Sequence, residues 1–251
     1  MFHARAASLD HAMKSLDCAS AVPLPGISVG VGVALGLVLA GCQAGHEKQA
    51  PLGPPEPARA LAGLRLERPI SARLETSEGT IHCGLDAARA PRSVALFVGL
   101  AVGRARFRDL RSGAIVTRPF YRDQTFFRAI PDLLVQSGCP LGNGTGTPGY
   151  RIALEPSASD AQRLAEPGAL FLASYHPAPN RTDPAPPPPG QVIGSQFVVS
   201  LGNMSHLAGQ VNVLGVCTDL ERVRAIARIV AAGAHPVRLI RITVEGVSEA
   251  D

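Results

Sequence analysis

Arg128 and Gln136 are the first two side chains whose types and spacing could serve chemistry. They lie on the segment from Phe126 to Gly138, which predicts short strands interrupted at Ile130-Pro131-Asp132. An arginine can donate charge-assisted hydrogen bonds, and a glutamine beside it can orient the guanidinium or bind a peptide backbone. An arginine on a strand is more often a solvated or ion-paired surface side chain. The surrounding sequence must therefore decide whether the pair forms a site.

The five cysteines have no spacing that indicates a metal site. They form no C-x-x-C pair and no metal-ligand pattern with histidine, so no metal is expected. Three thiols lie in the body of the protein, at Cys83, Cys139 and Cys217. In an oxidising compartment two of them could pair, in any of three combinations, and leave one free. Buried free thiols are equally compatible with the sequence.

An apolar run near the N-terminus predicts export. No charged side chain occurs from Cys18 to Gly45, and residues 27–40 are apolar or glycine apart from Ser28 and are preceded by Lys14. The run is shorter than the roughly 20 apolar residues that a spanning helix needs. An export signal is therefore favoured, and an uncleaved membrane helix is the alternative.

The run ends in Leu39-Ala40-Gly41-Cys42, which resembles the bacterial lipoprotein signal. By this resemblance residues 1–41 are a signal peptide, with Met13 as a possible true start, and Cys42 is acylated as the mature N-terminus. Several acyl chains anchor a protein stably, at about 0.8 kcal/mol per buried CH₂. Gln43, rather than aspartate, favours the outer membrane of the cell envelope, facing the periplasm.

Prolines between Pro51 and Pro57 block helix and ladder hydrogen bonds, and we expect residues 42–65 to be a flexible Pro-rich tether. Residues 66–251 are then one domain, since a chain with 46% hydrophobic residues can bury one sizeable core. The 24 basic and 20 acidic residues give a net charge of +4 and are interspersed. No nucleic-acid partner is therefore expected.

Hydrophobic periodicity predicts many short strands and two helices in this domain. A hairpin is expected over residues 69–86, with its turn at Ser77-Glu78-Gly79, and helices are expected over 91–100 and 219–232. Further strands are predicted within residues 125–136, 169–173, 196–201, 211–216 and 237–244. Short strands with two helices favour a mainly antiparallel barrel or sandwich.

Several segments, taken in order, resemble the cyclophilin family of peptidyl-prolyl cis/trans isomerases. Residues 126–138 resemble its active-site strand pair, in which arginine and glutamine stand at this same interval. In family order there follow the glycine-rich stretch 142–150, residues 168–173, Gly194-Ser195-Gln196-Phe197, and Leu207 before Gly209. The resemblance spans residues 69–247. It implies a mainly β fold, a closed eight-stranded antiparallel barrel capped by two α-helices, with the substrate groove outside.

The activity that this resemblance implies can be argued physically. Rotation about an X-Pro bond costs about 18–20 kcal/mol because the amide loses its partial double bond. No bond is made or broken, so neither a cofactor nor a nucleophile is expected. In the twisted amide the prolyl nitrogen regains a lone pair, and the resemblance makes Arg128 the catalytic donor to it.

The resemblance also implies a substrate site around Arg128. Gln136 and Gln196 bind the substrate backbone or position the arginine, although they could instead cap backbone groups at the barrel edge. The expected substrate-binding residues are Leu133, Leu134, Gln136, Ala173, Ser174, Gln196, Val198, His206 and Leu207.

The sequence departs from the family in its pocket walls. Leu133, Leu134 and Val198 stand where Phe, Met and Phe are usual, and His206 stands where a tryptophan is usual. Aliphatic walls predict a wider, shallower pocket and a slower reaction, because aromatic contacts contribute about 0.5–1.5 kcal/mol each.

A second departure is a Pro-rich loop insertion at residues 175–193. Its composition favours polyproline II geometry. The insertion could fold over the groove as a tethered pseudo-substrate or present a docking motif to another protein, but a tolerated insertion is the favoured explanation.

Three functions are consistent with these features. The first is a prolyl isomerase assisting the folding of exported proteins, with proline-containing segments of unfolded clients as its substrates. The second is a non-catalytic, chaperone-like lipoprotein that binds proline peptides through a degenerate pocket. The third is a structural envelope lipoprotein, which explains the anchor but not the groove. A monomer is expected, with the membrane as its partner through the lipid.

Overall fold

Alternating apolar residues in the first part of the domain produce the hairpin that the sequence predicts. The computed structural model describes residues 52–174 and 190–249. In it, β1 (Leu64–Thr76) pairs antiparallel with β2 (Gly79–Leu85). Ile70, Leu74 and Ile81 are buried at the spacing that places side chains on one face of a strand. The hairpin therefore covers the core with one face.

The other elements follow the predicted order with shifted boundaries. The remaining strands are β3 (Phe107–Arg108), β4 (Ile115–Val116), β5 (Gln124–Thr125), β6 (Arg128–Ile130), β7 (Leu134–Ser137), β8 (Arg151–Ala153), β9 (Ala169–Ser174), β10 (Gln191–Ser200), β11 (Asn212–Cys217) and β12 (Arg238–Glu249). The α-helices are α1 (Pro57–Leu61), α2 (Pro91–Val102), α3 (Asp160–Ala165) and α4 (Leu220–Ala232), and a 3₁₀ turn covers Ser205–Leu207.

The strands form a sheet whose two edges are joined by the chain itself. The hydrogen-bonded series runs β5-β12-β1-β2-β11-β9-β10-β7-β6, and β8 pairs separately with β10. The edge strands β5 and β6 are linked through Phe126 and Phe127. The Phe126 N–H donates to the Val237 carbonyl at 3.0 Å, and the Phe127 N–H donates to the Gln136 carbonyl at 3.2 Å. These two bonds, on opposite edges, curl the series into a barrel.

The predicted fold class, a mainly β antiparallel barrel, is confirmed, while the counts of elements need correction. Among the described residues, nine strands form the series, but β5 and β6 can be taken as two halves of one strand bent at Phe126-Phe127. Counted this way, the eight expected strands surround the barrel. β8 is additional, and β3 pairs with β4 in a separate hairpin. The short helices α1 and α3 add to the two that the sequence predicts.

The main core fills the barrel and is covered by the two longer helices. An aromatic group lies at its centre, where the ring of Phe97 from α2 contacts Tyr121 at 5.2 Å and Phe197 at 6.0 Å between centroids. Helix α4 buries Val223 and Ile226 against the same core. Helix α4 is therefore held by one apolar face, whereas α2 is buried on all sides from Ser93 to Ala101.

The N-terminus of α2 is capped by a carboxylate from another part of the chain. Ala90 occupies the N-cap position and has no side chain that could cap. Glu155 accepts hydrogen bonds from the backbone N–H groups of Arg92, at 2.9 Å, and Ser93, at 2.6 Å. Asn212 of β11 donates to the Ser93 hydroxyl at 2.8 Å. A negative charge here satisfies free N–H groups and stabilises the helix dipole, so Glu155 ties α2 to the sheet.

The flexible tether predicted over residues 42–65 needs correction in its second half. Residues 42–51 lie outside the described residues, but Leu52 packs against the main core and Ala60 of α1 is fully buried. Proline at the first position of a helix favours its start, which explains why Pro57 begins α1. Gly99 of α2 lies against the Ala60 backbone, where a side chain would leave no room. The domain therefore begins before residue 66.

The boundaries of the Pro-rich insertion also need correction. The sequence places it at residues 175–193, of which 175–189 lie outside the described residues. Gln191 already begins β10, and Val192 pairs with Ser174 of β9 and with Ile152 of β8. Residues 191–193 belong to the sheet because they satisfy backbone groups on both neighbouring strands.

A disulfide resolves the cysteine alternatives that the sequence leaves open. Cys83 of β2 and Cys217 of β11 are directly opposed in the ladder and bonded to each other, at a sequence separation of 134. Cys139 is a free, buried thiol. The bond links strands that are distant along the chain, so it constrains the unfolded state strongly.

Reduction of this disulfide is expected to lower the free energy of unfolding by about 2–5 kcal/mol, because a long loop is released in the unfolded chain. Guanidinium denaturation with and without reductant measures the change. The variant Cys83→Ala/Cys217→Ala is the control, and its midpoint should not respond to reductant. An unchanged midpoint for the wild-type chain would contradict the expectation.

Candidate active site

A tight strand pair places Arg128 against Gln136. The two residues are directly opposed in the β6–β7 ladder, so their side chains share one face of the sheet. The Arg128 Nη1 donates to the Gln136 Oε1 at 3.3 Å, while Arg128 itself remains exposed. The Leu133 N–H donates to the Ile130 carbonyl at 3.0 Å and closes the turn between the strands. The guanidinium is thus held by Gln136 through Nη1, while the residue as a whole is exposed to solvent.

Gln196 of β10 holds Gln136 in turn. The Gln136 Nε2 donates to the Gln196 Oε1 at 3.0 Å, and the Gln196 Nε2 donates to the carbonyls of Gly144, at 2.9 Å, and Gly146, at 2.8 Å. Gln196 is 1% exposed and Gln136 is 8% exposed. Both amides are saturated by protein groups, because a buried amide without partners would be costly. The geometry fits a positioning role, and Gln196 also caps backbone carbonyls, as one of the alternatives predicted.

The loop that supplies these carbonyls is held from its other side by Cys139. The N–H groups of Gly144 and Gly146 both lie 3.2 Å from the Cys139 Sγ. Gly144 has a φ of 83°, in the left-handed region that glycine tolerates. The glycine-rich loop is therefore held on both sides. The N–H groups of Gly144 and Gly146 contact the Cys139 thiol, and their carbonyls bind and orient Gln196.

A separate apolar cluster lies beside the polar chain, and we call it the pocket cluster. Its buried members are Leu134, Leu164, Ala169, Phe171, Ala173, Val198, Met204, Val211 and Val213, and Leu133, Leu207 and Ala208 pack against it. The predicted pocket residues Leu133, Leu134, Ala173, Val198 and Leu207 therefore come together. They do so on the face of the sheet opposite to the main core.

Two of the predicted residues lie at the margin of this arrangement. His206 is exposed on the 3₁₀ turn next to Leu207. Ser174 is half-buried at the end of β9, directly before residues 175–189. The predicted lipidation site, Cys42, lies outside the described residues.

One cross-strand row connects the polar and apolar parts. Successive ladder partners are Arg128 of β6, Gln136 of β7, Val198 of β10, Phe171 of β9 and Val213 of β11. Neighbouring strands lie about 4.7–4.9 Å apart, so the row leads stepwise from the guanidinium to a buried ring. Sequence reasoning missed Phe171, although the period of two that connects it to Ala173 and Ala169 was available as a signal.

The ring hydroxyls behind the site are neutral. Burial raises the pKa of Tyr121 well above its ordinary value, and burial likewise raises the pKa of Tyr150. The Tyr121 hydroxyl donates to the Ser195 carbonyl at 3.0 Å, directly beside Gln196. The charge in the hydrogen-bonded part of the site is therefore that of Arg128. The arrangement can hold an apolar ring and offer it a charge-assisted hydrogen bond.

Comparisons with known proteins agree with this geometry. The family model described as cyclophilin type peptidyl-prolyl cis-trans isomerase/CLD matches residues 71–247. The chain is 31% identical over 159 residues to the probable peptidyl-prolyl cis-trans isomerase A of Mycobacterium bovis, covering 63% of this chain and 79% of that protein. It is 34% identical over 155 residues to a peptidyl-prolyl cis-trans isomerase of Synechococcus elongatus, covering 62% and 85% respectively.

A solved structure supports the fold alone. The cyclophilin type isomerase of Cryptosporidium parvum, crystallised in the presence of the dipeptide Ala-Pro, superposes with a TM-score of 0.52 at 20% identity. The match covers 70% of this chain and 98% of the other.

Proposed function

The chain belongs to the cyclophilin-type peptidyl-prolyl cis/trans isomerase family, and we propose that it isomerises X-Pro bonds of exported proteins with Arg128 as the hydrogen-bond donor. Uncatalysed exchange takes tens to hundreds of seconds, which makes it a slow step in folding. A catalyst must favour the twisted amide over both planar forms.

The observation that carries the proposal is the fixed guanidinium beside an apolar pocket. Arg128 is anchored through Gln136 and Gln196, and the pocket cluster begins at Val198, the ladder neighbour of Gln136. A hydrogen bond from a charged donor contributes about 1.5–3 kcal/mol. If the hydrogen bond forms only to the nitrogen of the twisted amide, this free energy corresponds to a rate increase of about 10- to 150-fold. Fixing the proline ring and the flanking carbonyl supplies the rest.

The proposed substrate is a proline-containing segment of an unfolded chain, with its ring in the pocket cluster. The walls are Leu133, Leu134, Val198 and Leu207, which offer apolar contact without hydrogen-bonding demands. The family to which the chain belongs is named for its action on peptidyl-prolyl bonds, which supports proline peptides as ligands here. Ala173, Ser174 and His206 would line the rim.

Export and anchoring are the second part of the proposal. The Cys83–Cys217 disulfide favours an oxidising compartment, because cytosolic thiols are kept reduced. The sequence Leu39-Ala40-Gly41-Cys42 supplies the acylation site, and a lipid on Cys42 would hold the domain at the outer membrane facing the periplasm. Among residues 52–174 and 190–249, no helix has the length and apolarity to span a bilayer.

A non-catalytic proline-peptide binder is the second candidate. The observation that favours it is the aliphatic wall of Leu133, Leu134 and Val198, where relatives of the family usually carry aromatic or methionine side chains. A binder would use the same pocket cluster, but its affinity for peptides would not depend on Arg128.

Substitution Arg128→Ala is expected to lower the catalysed cis-to-trans rate of an X-Pro reporter peptide at least about tenfold, because the charged donor is lost. Magnetisation-exchange NMR measures the rate on the purified chain. The matched control is Arg73→Ala, which removes an exposed arginine on β1 that pairs with Glu245. Peptide binding without acceleration by the folded wild-type chain would establish the binder instead.

Substitution Gln196→Leu is expected to lower kcat about 5- to 10-fold and to change KM less than about twofold. Removing the amide frees Gln136 and misplaces Arg128, while the pocket walls remain. Gln191→Leu, at the start of the same strand, is the control. A raised KM at unchanged kcat would show that Gln196 binds substrate instead.

Substitution Cys42→Ser is expected to release the protein from membranes when the full chain is expressed in a Gram-negative host. The wild-type chain should fractionate with membranes and carry an acylated Cys42 as its first residue, which mass spectrometry of the N-terminal peptide detects. Cys18→Ser is the control and should be processed normally. A membrane-bound wild-type chain that retains residues 1–41 would favour the uncleaved helix.

A further inference from the structure

The strand β9 separates its side chains between two apolar clusters, and Phe171 faces the pocket. Leu170 and Leu172 belong to the main core, while Ala169, Phe171 and Ala173 belong to the pocket cluster. This alternation follows from the period of two along a strand. Phe171 contributes the one aromatic ring of that cluster and is 2% exposed.

The ring lies directly beside the pocket wall. Phe171 is the ladder partner of Val198 on one side and of Val213 on the other. Directly opposed residues on antiparallel strands have Cβ atoms about 4.5–5.5 Å apart on the same face. A phenylalanine side chain is long enough to reach across that distance and underlie its smaller neighbour. Val198 therefore stands between the ring of Phe171 and the amide of Gln136.

The apolar residues beneath Val198 extend from the sheet to the turn that carries Leu207. The pocket cluster joins Phe171 to Leu164 of α3 and to Met204. The Met204 N–H donates to the Leu164 carbonyl at 2.6 Å, which fixes the turn to α3. Since cores are close-packed, the size of the side chain at 171 affects both the depth beneath Val198 and the position of Leu207.

We infer that Phe171 is a specificity-determining residue of this site, whose ring supplies the aromatic floor that Val198 lacks and sets the size of the ring that the pocket accepts. The inference rests on the proposed function, because it concerns the ring size of the substrate that binds in the same pocket. The pocket is therefore narrower at its base than its aliphatic walls predict.

Two reporter peptides that differ by one methylene test this inference. One carries proline and the other carries pipecolic acid, whose ring is larger by one CH₂. The measured quantity is the ratio of kcat/KM for the pipecolyl peptide to that for the prolyl peptide. Phe171→Val should raise this ratio about tenfold or more, since one methylene in an apolar pocket changes selectivity about 10- to 200-fold.

The exchange variant Phe171→Val/Val198→Phe keeps the side-chain composition and moves the ring to the neighbouring strand. Its ratio should return to within about threefold of wild type, because volume-conserving exchanges are tolerated best. Phe197→Val is the matched control: it removes a buried ring from β10 on the opposite face, paired with Leu172. That control should melt at a lower temperature and keep the wild-type ratio within about twofold. Phe171→Leu replaces Phe171→Val if the latter does not fold.

Equal losses of kcat/KM for both peptides in Phe171→Val, with an unchanged ratio, would overturn the inference and leave Phe171 a packing residue. An exchange variant that keeps the raised ratio would overturn it as well. If the wild-type chain accelerates neither peptide, the proposed isomerase activity fails separately. Calorimetric affinities of both peptides for wild type and Phe171→Val then give the same ratio and decide the role of Phe171.

Discussion

The register between β9 and β10 is the constraint on which both apolar clusters depend. Leu172 is opposed to Phe197 and faces the main core, while Phe171 is opposed to Val198 and faces the pocket. A slip of one residue would exchange the two sets, because side chains alternate across a sheet. The barrel interior and the substrate groove are therefore specified by one pairing. A site on the outer face exists because these strands are apolar on both faces.

The polar half of the site depends on burial in a different way. Arg128 is exposed and long, so a single bond to Gln136 would hold it weakly if that amide could rotate. Gln136 cannot rotate freely, since its other end is bonded to Gln196, which is fixed by two loop carbonyls. Rotation of either amide would leave a buried polar group without a partner. The orientation of the arginine thus derives from two side chains that solvent barely reaches.

The sequence was informative where local signals and motif order coincide. The hairpin β1–β2, the helices α2 and α4, and the meeting of Arg128, Gln136 and Gln196 all follow the predictions. Long-range pairing was not predictable from local patterns, because nothing near Cys83 selects Cys217 over Cys139 as its partner. The docking of residues 52–61 was also missed, since proline-rich composition hides the contacts of Leu52 and Ala60. Phe171 was not predicted because the family resemblance implies substrate-binding positions on this strand at Ala173 and Ser174 only.

The pairing of β1 with β12 determines when the barrel can close as the chain is delivered from its N-terminus. Leu64 lies opposite Glu249, so the first and last strands of the described domain are neighbours in the sheet. A ribosome or a translocation channel that delivers the chain from its N-terminus releases β12 last among these strands. Until then β1 lacks one of its two partners, and the series cannot connect to β5. Contacts so distant in sequence also form slowly. The barrel is therefore completed only after β12, at the end of the described domain, has been released.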